Sequence, residues 1–347
     1  MHNKTLMLQV FFLFLLFASC SNSEKQKTVS EDKVVQTELK SAPILVGQET
    51  EMLLRDLAEN GDYVNGRDFP SLIDASKVME QLDGKILLVD IRSTAEFQAG
   101  HIKGAVQKDF NLLPAYFQTG IKPFEYERIV LVSADGQTAS YTTMLLRLMG
   151  YGNVYAMRWG MSSWNSTFAQ NTWLKGSTSD FQDRLETKTN EVQQAVGMPE
   201  LNTGKSNGEE IGAARFNQLF SEGLNHVTID AKTVFAKPEE YYVINYERRD
   251  KYESGHIPGA VRYKPGATLS MVNEMATIPS DKIVVVYCGT GHNSAFVTAY
   301  LRLFGYDART LHFGNNSFMY NKMVADRTLL SWLPFTSEEI YDYEVVK

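Results

Sequence analysis

The chain has 347 residues, of which 44% are hydrophobic and 22% charged, and a formal net charge of -7. That is enough chain for two domains with separate cores, and the composition is that of a globular protein, not a disordered one. The acidic balance, with no basic block, argues against nucleic acid as a partner and against a polybasic grip on anionic lipid.

Lys4 precedes an apolar run over residues 6–18, broken only by Gln9. The run is short for a bilayer span and has the length of a secretion-signal core. It ends in Phe17-Ala18-Ser19-Cys20, which resembles the lipobox of bacterial lipoproteins, where the cysteine is acylated and becomes the new N-terminus. Residues 1–19 are therefore expected to be a lipoprotein signal peptide. Cys20 is the expected lipidation site, anchoring an exported protein to a bacterial membrane on its periplasmic or surface face. An ordinary signal peptide cleaved near Ser19 is the alternative. Residues 20–46 are polar and charged and read as a flexible tether. The one other cysteine is Cys288. With Cys20 acylated it has no disulfide partner, and an unpaired thiol in an oxidising compartment invites a functional explanation.

The rest of the chain repeats itself. Residues 99–106, Ala-Gly-His-Ile-Lys-Gly-Ala-Val, return at 254–261 as Ser-Gly-His-Ile-Pro-Gly-Ala-Val. Leu-Arg-Leu-Met-Gly-Tyr at 146–151 returns at 301–306 as Leu-Arg-Leu-Phe-Gly-Tyr. His256 lies 155 positions after His101, and Gly305 lies 155 after Gly150. A period this long duplicates a whole domain, not a solenoid unit.

Within the first copy, residues 86–91 and 129–132 are apolar runs suited to buried parallel strands, and residues 139–149 follow as a helix. In the second copy, residues 242–246 and 283–287 take the strand places and 294–304 the helix. An extra helix is expected near 51–58 and again near 213–220. Strands alternating with helices imply right-handed crossovers and a mainly parallel sheet with helices on both faces. The expected boundaries are 47–175 for domain one, 176–205 for a linker rich in Ser, Thr, Gln, Asn and Gly, and 206–347 for domain two.

Asp90-Ile91-Arg92, then Glu96-Phe97, then residues 100–105, resembles the rhodanese signature; so does the strand, cysteine-headed loop and helix over 283–306. Arg158-Trp159-Gly160-Met161-Ser162-Ser163-Trp164 is similar to the family's closing motif. The resemblance covers about residues 50–335. It implies an α/β fold of two tandem rhodanese-like domains, and a cysteine that takes up sulfane sulfur as a persulfide and passes it to a thiol or cyanide.

The loop Cys288-Gly289-Thr290-Gly291-His292-Asn293 supports that chemistry on its own residues. A glycine-containing turn before a helix can aim several amides at one point. The helix N-terminus favours negative charge and is expected to pull the thiol below its usual value of roughly 8.5. Such a thiolate is a nucleophile equipped to take a sulfur atom. Cys288 is the expected catalytic residue, and Gly289, Thr290, Gly291, His292 and Asn293 the substrate-binding loop. Ser133 stands opposite Cys288 in the first copy, within Ser133-Ala134-Asp135-Gly136-Gln137-Thr138. Serine cannot form a persulfide, so module one is expected to be catalytically inactive.

Several residues depart from the family. Gly289 and Asn293 occupy places where active loops carry arginine, so neutral or weakly charged sulfane donors are expected to outpace thiosulfate. Ser294 replaces the arginine that would close a phosphatase loop. His292 is either a donor to the ligand or a solvated loop residue. Asn245 and Glu247 stand where module one has Asp90 and Arg92, with Arg248 or Arg249 as a candidate replacement cation. His101 and His256 are expected to be structural, in a turn after a helix, and Trp159, Trp164 and Trp173 to be core. No Cys/His cluster has metal spacing and no nucleotide fingerprint occurs, so neither metal nor cofactor is expected. The function expected is thiosulfate- or 3-mercaptopyruvate-type sulfur transfer through a Cys288 persulfide; the alternative is a non-catalytic rhodanese-like binding lipoprotein of the cell envelope.

Overall fold

The computed structural model describes residue 44, residues 46–326 and residues 332–347. Cys20, the signal peptide and nearly all of the tether lie outside the described residues. Residues 43–347 form one compact unit built around two five-stranded sheets.

In the first sheet the strands are β1 (Leu72–Ile73), β2 (Ile86–Asp90), β3 (Val106–Gln107), β4 (Arg128–Val132) and β5 (Val154–Met157), ordered β1-β5-β4-β2-β3. In the second they are β6 (Thr228–Ile229), β7 (Tyr241–Asn245), β8 (Val261–Arg262), β9 (Ile283–Tyr287) and β10 (Ala308–Leu311), in the corresponding order β6-β10-β9-β7-β8. Every ladder is parallel. The central strands β4 and β9 are buried on both faces after their first residue, which is why their sequences, Arg-Ile-Val-Leu-Val and Ile-Val-Val-Val-Tyr, do not alternate. The strand and helix expectations hold within a few residues: the two long helices are Gln137–Leu148 and His292–Leu303, and the extra helices are Gln48–Glu59 and Gly208–Glu222.

The two modules pack through a shared apolar core. Leu145 and Phe110 of the first belong to the same cluster as Phe220, Phe296 and Tyr300 of the second. At the seam the backbone amide of Trp159 donates to His292 Nε2 at 3.0 Å, and the amide of Phe313 donates to Gln137 Oε1 at 2.8 Å. His292 and Gln137 are equivalent in the two copies, so the pair of bonds follows the duplication. Both donors sit in the left-handed region, Trp159 at φ 62 and Phe313 at φ 60, a conformation costly for aromatic residues and held here by this exchange.

Two segments pack across the expected boundaries. Residues 176–205, the expected linker, lie against module two: Glu186 bridges His256 in antiparallel fashion, and the Val196 amide donates to Ala276 O. The C-terminal tail does not stay with module two. Val346 bridges His101, Trp164 Nε1 donates to Glu344 O at 2.9 Å, and Tyr343 packs edge-on against Trp164. The stretch after each module thus closes against the Gly-His-Ile turn of the other. These bridges are long-range in sequence and leave no local compositional trace.

Gly314 shows how closely the second module's turn approaches the cysteine. Its φ is +53, and a Cβ there would lie 2.1 Å from Cys288 O. Gly314→Ala is expected to destabilise by more than about 3 kcal/mol, combining left-handed strain with a clash against fixed backbone. Gly259→Ala, with φ +76 but nothing within 4 Å, should cost only about 1–2 kcal/mol. Denaturant midpoints of the two variants, compared with the parent, check the difference.

Candidate active site

Cys288 follows β9 directly and sits at the carboxyl edge of the second sheet. Register carries that edge sideways: Tyr287 pairs with Asn245, and Asn245 with Arg262. Residues 246–251 and the loop at 288–291 therefore come from adjacent strand ends, the usual location of ligand sites in parallel sheets. The helix His292–Leu303 starts at once behind the loop, with Gly291 as N-cap at φ 75. A Cβ on Gly291 would fall 1.9 Å from Gln137 Nε2, so only glycine fits against the other module here.

Cys288 is 5% exposed. Ser294 N donates to Cys288 Sγ at 3.4 Å, and the thiol lies 3.7 Å from Ser294 Oγ. Asn315 N donates to Cys288 O at 3.0 Å and fixes the carbonyl. Module one repeats this arrangement with oxygen in place of sulfur: Ser133 Oγ accepts from Gly136 N at 2.9 Å and from Ala139 N, the equivalent of Ser294 N, at 3.3 Å.

Beside the cysteine lie two buried charged residues, Glu247 and a lysine that the sequence does not single out. Glu247 is 6% exposed and Lys251 1% exposed. Glu247 Oε2 accepts from Asn315 Nδ2 at 2.9 Å and from Asn245 Nδ2 at 3.1 Å. Lys251 Nζ is buried without a hydrogen-bond partner among the described residues, 5.4 Å from the centre of the Trp332 ring. Module one has the opposite polarity: Arg92 Nη2 meets Asp90 Oδ2 at 2.6 Å and donates to Gly100 O at 2.9 Å. Asn245 and Glu247 occupy the equivalents of Asp90 and Arg92. The expected replacement cation is neither Arg248 nor Arg249, which are exposed and face Asp250 and Glu253; the buried cation is Lys251.

These groups set the electrostatics. Burial, then the Glu247 carboxylate, pushes the Cys288 thiol above its ordinary value, outweighing the amides of Ser294 and Thr290. The expectation of a depressed thiol is therefore corrected: the helix and amides act in the foreseen direction, but depth and a buried carboxylate act against them and win. Burial raises Glu247, opposed by Lys251, while Lys251 itself is driven down to about 8 by burial, against the pull of Glu247.

The loop residues divide between the surroundings of Cys288 and the module seam. Gly289 is buried, and its carbonyl accepts from Asn316 Nδ2 at 2.9 Å. Thr290 Oγ1 lies 2.9 Å from His292 Nδ1. Asn293 is half-buried. His292 is fully buried, between Trp159 and Trp173, whose ring it parallels at 5.7 Å. Burial, reinforced by Arg158, holds it down to about 3, so the ring is neutral and accepts from Trp159 N. Neither sequence alternative for His292 survives: it is not solvated, and its Nε2 is committed to the module seam. Removing that acceptor with His292→Ala is expected to cost about 3 kcal/mol, from a stranded amide plus a cavity. His292→Gln, which restores the oxygen that Gln137 supplies on the other side, should recover most of it; urea midpoints at constant m report both.

His101 and His256 fit the structural role expected of them. Each Nδ1 lies near a helix carbonyl four residues earlier, Phe97 O at 2.9 Å and Tyr252 O at 2.7 Å, and each ring stacks on that residue at 3.7 Å. Trp159, Trp164 and Trp173 are buried.

Comparison with known proteins agrees with this geometry. The Rhodanese-like domain family matches at residues 74–167 and again at 214–320. The chain is 27% identical over 144 residues to a protein named tRNA uridine(34) hydroxylase from Rickettsia akari, covering 40% of this chain and 55% of that protein. To the protein of the same name from Teredinibacter turnerae it is 24% identical over 132 residues, covering 37% and 39%. The chain thus spans about half the length, or less, of these curated relatives. Among solved structures it is similar to a thiosulfate sulfurtransferase from Pseudomonas aeruginosa, at 18% identity and TM-score 0.28, over 76% of this chain and 47% of that one. The two family matches together span more than half of the sequence and fall one on each sheet-bearing module, so the chain belongs to the rhodanese-like domain family, with two such domains in tandem.

Proposed function

We propose that this chain is a sulfurtransferase in which Cys288 carries sulfane sulfur between a small donor and a thiol or cyanide acceptor. The observation that carries the reading is the placement of Cys288: an unpaired thiol at the carboxyl edge of a parallel sheet, opening a helix N-terminus and receiving the Ser294 amide on its sulfur. In the loading step the Cys288 thiolate attacks the outer sulfur of the donor. The donor S–S bond breaks, its electron pair leaves with the remainder of the donor, and a Cys288 persulfide forms. In the second step an acceptor thiolate or cyanide attacks the terminal sulfur and returns the Cys288 thiolate, so sulfur moves with no external oxidant or reductant. Module one, with Ser133 at the equivalent position, serves as scaffold. Acylated Cys20 holds the protein at a bacterial membrane; among the described residues no helix is long and apolar enough to cross one.

A second reading has its own support. The 5% exposure of Cys288 and its raised thiol suit a non-catalytic binding domain in which the cysteine is packing. Steady-state transfer from a sulfane donor to cyanide separates the two: turnover that Cys288→Ser removes favours the enzyme, and equal background from both proteins favours the binding domain. The anchor has a separate test, because wild-type protein should partition with membranes and Cys20→Ala should not.

A further inference from the structure

The buried charges beside Cys288 have no counterpart of the same polarity in module one. There a guanidinium, Arg92, is paired with the strand-end acid Asp90. In module two the corresponding residues present an amide and a carboxylate, Asn245 and Glu247, and the balancing cation has moved to Lys251. Glu247 is held in place from two sides. Asn245 at the end of β7 and Asn315 both donate to the same carboxylate oxygen, and Asn315 also binds the Cys288 carbonyl through its own amide. A carboxylate tied to the backbone of the reactive residue is not a surface charge that can swing away. Lys251 Nζ is the one cation in this cluster, buried and without a hydrogen-bond partner among the described residues.

We propose that Glu247 is a specificity-determining residue: by offsetting Lys251 within the buried cluster, it makes the Cys288 site select sulfane donors of low charge and reject dianions. This rests on the sulfur-transfer reading above. Once Cys288 is a thiolate, the cluster holds two negative groups and one positive. A donor with a single negative charge can use Lys251, whose Nζ has no hydrogen-bond partner among the described residues. A second negative charge finds no further cation among the described residues of the cluster and faces Glu247 and the thiolate in a site shielded from water, where repulsion is weakly screened. The raised thiol is consistent with the same field, since Glu247 contributes to it.

Thiosulfate and methanethiosulfonate form a matched pair for the test, since a methyl group on the latter replaces one anionic oxygen. Thiolate and thiosulfate give the persulfide anion and sulfite; thiolate and methanethiosulfonate give the same persulfide anion and methanesulfinate. In both, the donor S–S bond breaks and its electron pair leaves on the sulfonyl fragment. Single-turnover loading of Cys288 is measured by mass with each donor, and each rate is divided by that donor's rate with free cysteine. The wild type should favour methanethiosulfonate. Glu247→Gln, which retains an oxygen for the two asparagines, should shrink that preference by about tenfold, chiefly by raising the thiosulfate rate. A wild type that favours thiosulfate, or a preference unchanged in a folded Glu247→Gln variant, overturns the assignment and leaves sulfur transfer standing. Loading by neither donor in either protein overturns both.

Discussion

Replacing Cys288 with serine should abolish sulfur loading and leave the protein folded. Serine has no sulfur to carry, so uptake should fall to the level of buffer alone with every donor. The fold should tolerate the change because the molecule already contains it: Ser133 occupies the equivalent loop and accepts the equivalent amide, at 3.3 Å from Ala139 N against 3.4 Å from Ser294 N to Cys288 Sγ. A stability change within about 1 kcal/mol is expected, the scale of a side-chain swap that leaves no cavity and keeps its hydrogen bond. The wild-type loading rate carries a further signature. Because burial and Glu247 raise the thiol, the thiolate is a minor species at neutral pH, and loading should keep rising as pH is taken above 8. A depressed thiol would give a plateau already at neutrality. Rapid-quench loading across that range, with Cys288→Ser as the blank, distinguishes the two.

The second large effect is expected at Lys251. Lys251→Met removes the cation that offsets Glu247 and leaves a carboxylate buried with two amide donors. Losing the opposing charge should outweigh the relief of burying one ammonium fewer, and a net loss on the order of 1–3 kcal/mol is expected at neutral pH. The pH dependence follows from Glu247, already raised by burial and deprived of the charge that opposes this. Its folded value then lies further above its unfolded value, so the unfolded state releases the proton first as pH rises, and the variant loses stability with increasing pH through that interval. At acid pH, with Glu247 neutral in both states, the deficit should narrow. Glu247→Gln in the same chain should restore most of the loss at neutral pH. In the wild type the Lys251 contribution has its own sign. The lysine is driven down to about 8 against an ordinary value of 10.5, so its burial penalty is full below pH 8 and is relieved as pH rises toward 10.5. Guanidinium unfolding of wild type, single and double variants at several pH values reads all of these together.

Much of the fold was legible because the information was local or repeated. An eight-residue and a six-residue stretch repeated at one spacing establish duplication, and unbroken apolar runs such as Ile-Val-Val-Val-Tyr belong to strands covered on both faces. The duplication also sets Ser133 against Cys288. What the sequence hid was set by contacts between distant residues. His292 stands in a loop beside a reactive cysteine, and only the approach of Trp159, 133 positions earlier, turns it into a buried seam acceptor. The exchange of terminal stretches has the same origin, because antiparallel bridges such as that between His101 and Val346 leave no periodic trace. Lys251 was overlooked among neighbouring charges: Arg248, Arg249, Asp250 and Glu253 are exposed, and the alternation of buried and exposed positions on the short helix Arg249–Ser254 selects the lysine as its inward cation. The signal available was Lys251-Tyr252 before Gly-His-Ile, where module one has Glu96-Phe97, a charge reversal that accompanies the reversal from Arg92 to Glu247. The thiol pKa was misjudged for the same reason, since a helix N-terminus is visible in sequence and a carboxylate folded in beside the sulfur is not.

The most direct measurement is the mass of the Cys288-containing peptide after the purified chain is treated with a sulfane donor and then quenched with an alkylating agent. Sulfur transfer through Cys288 requires a fraction of that peptide to gain the mass of one sulfur atom beneath the alkyl group, and to lose it when cyanide or a small thiol is added before the quench. A Cys288 peptide alkylated without added sulfur under every donor, in protein that remains folded, would contradict sulfur transfer and leave the binding-domain reading in its place.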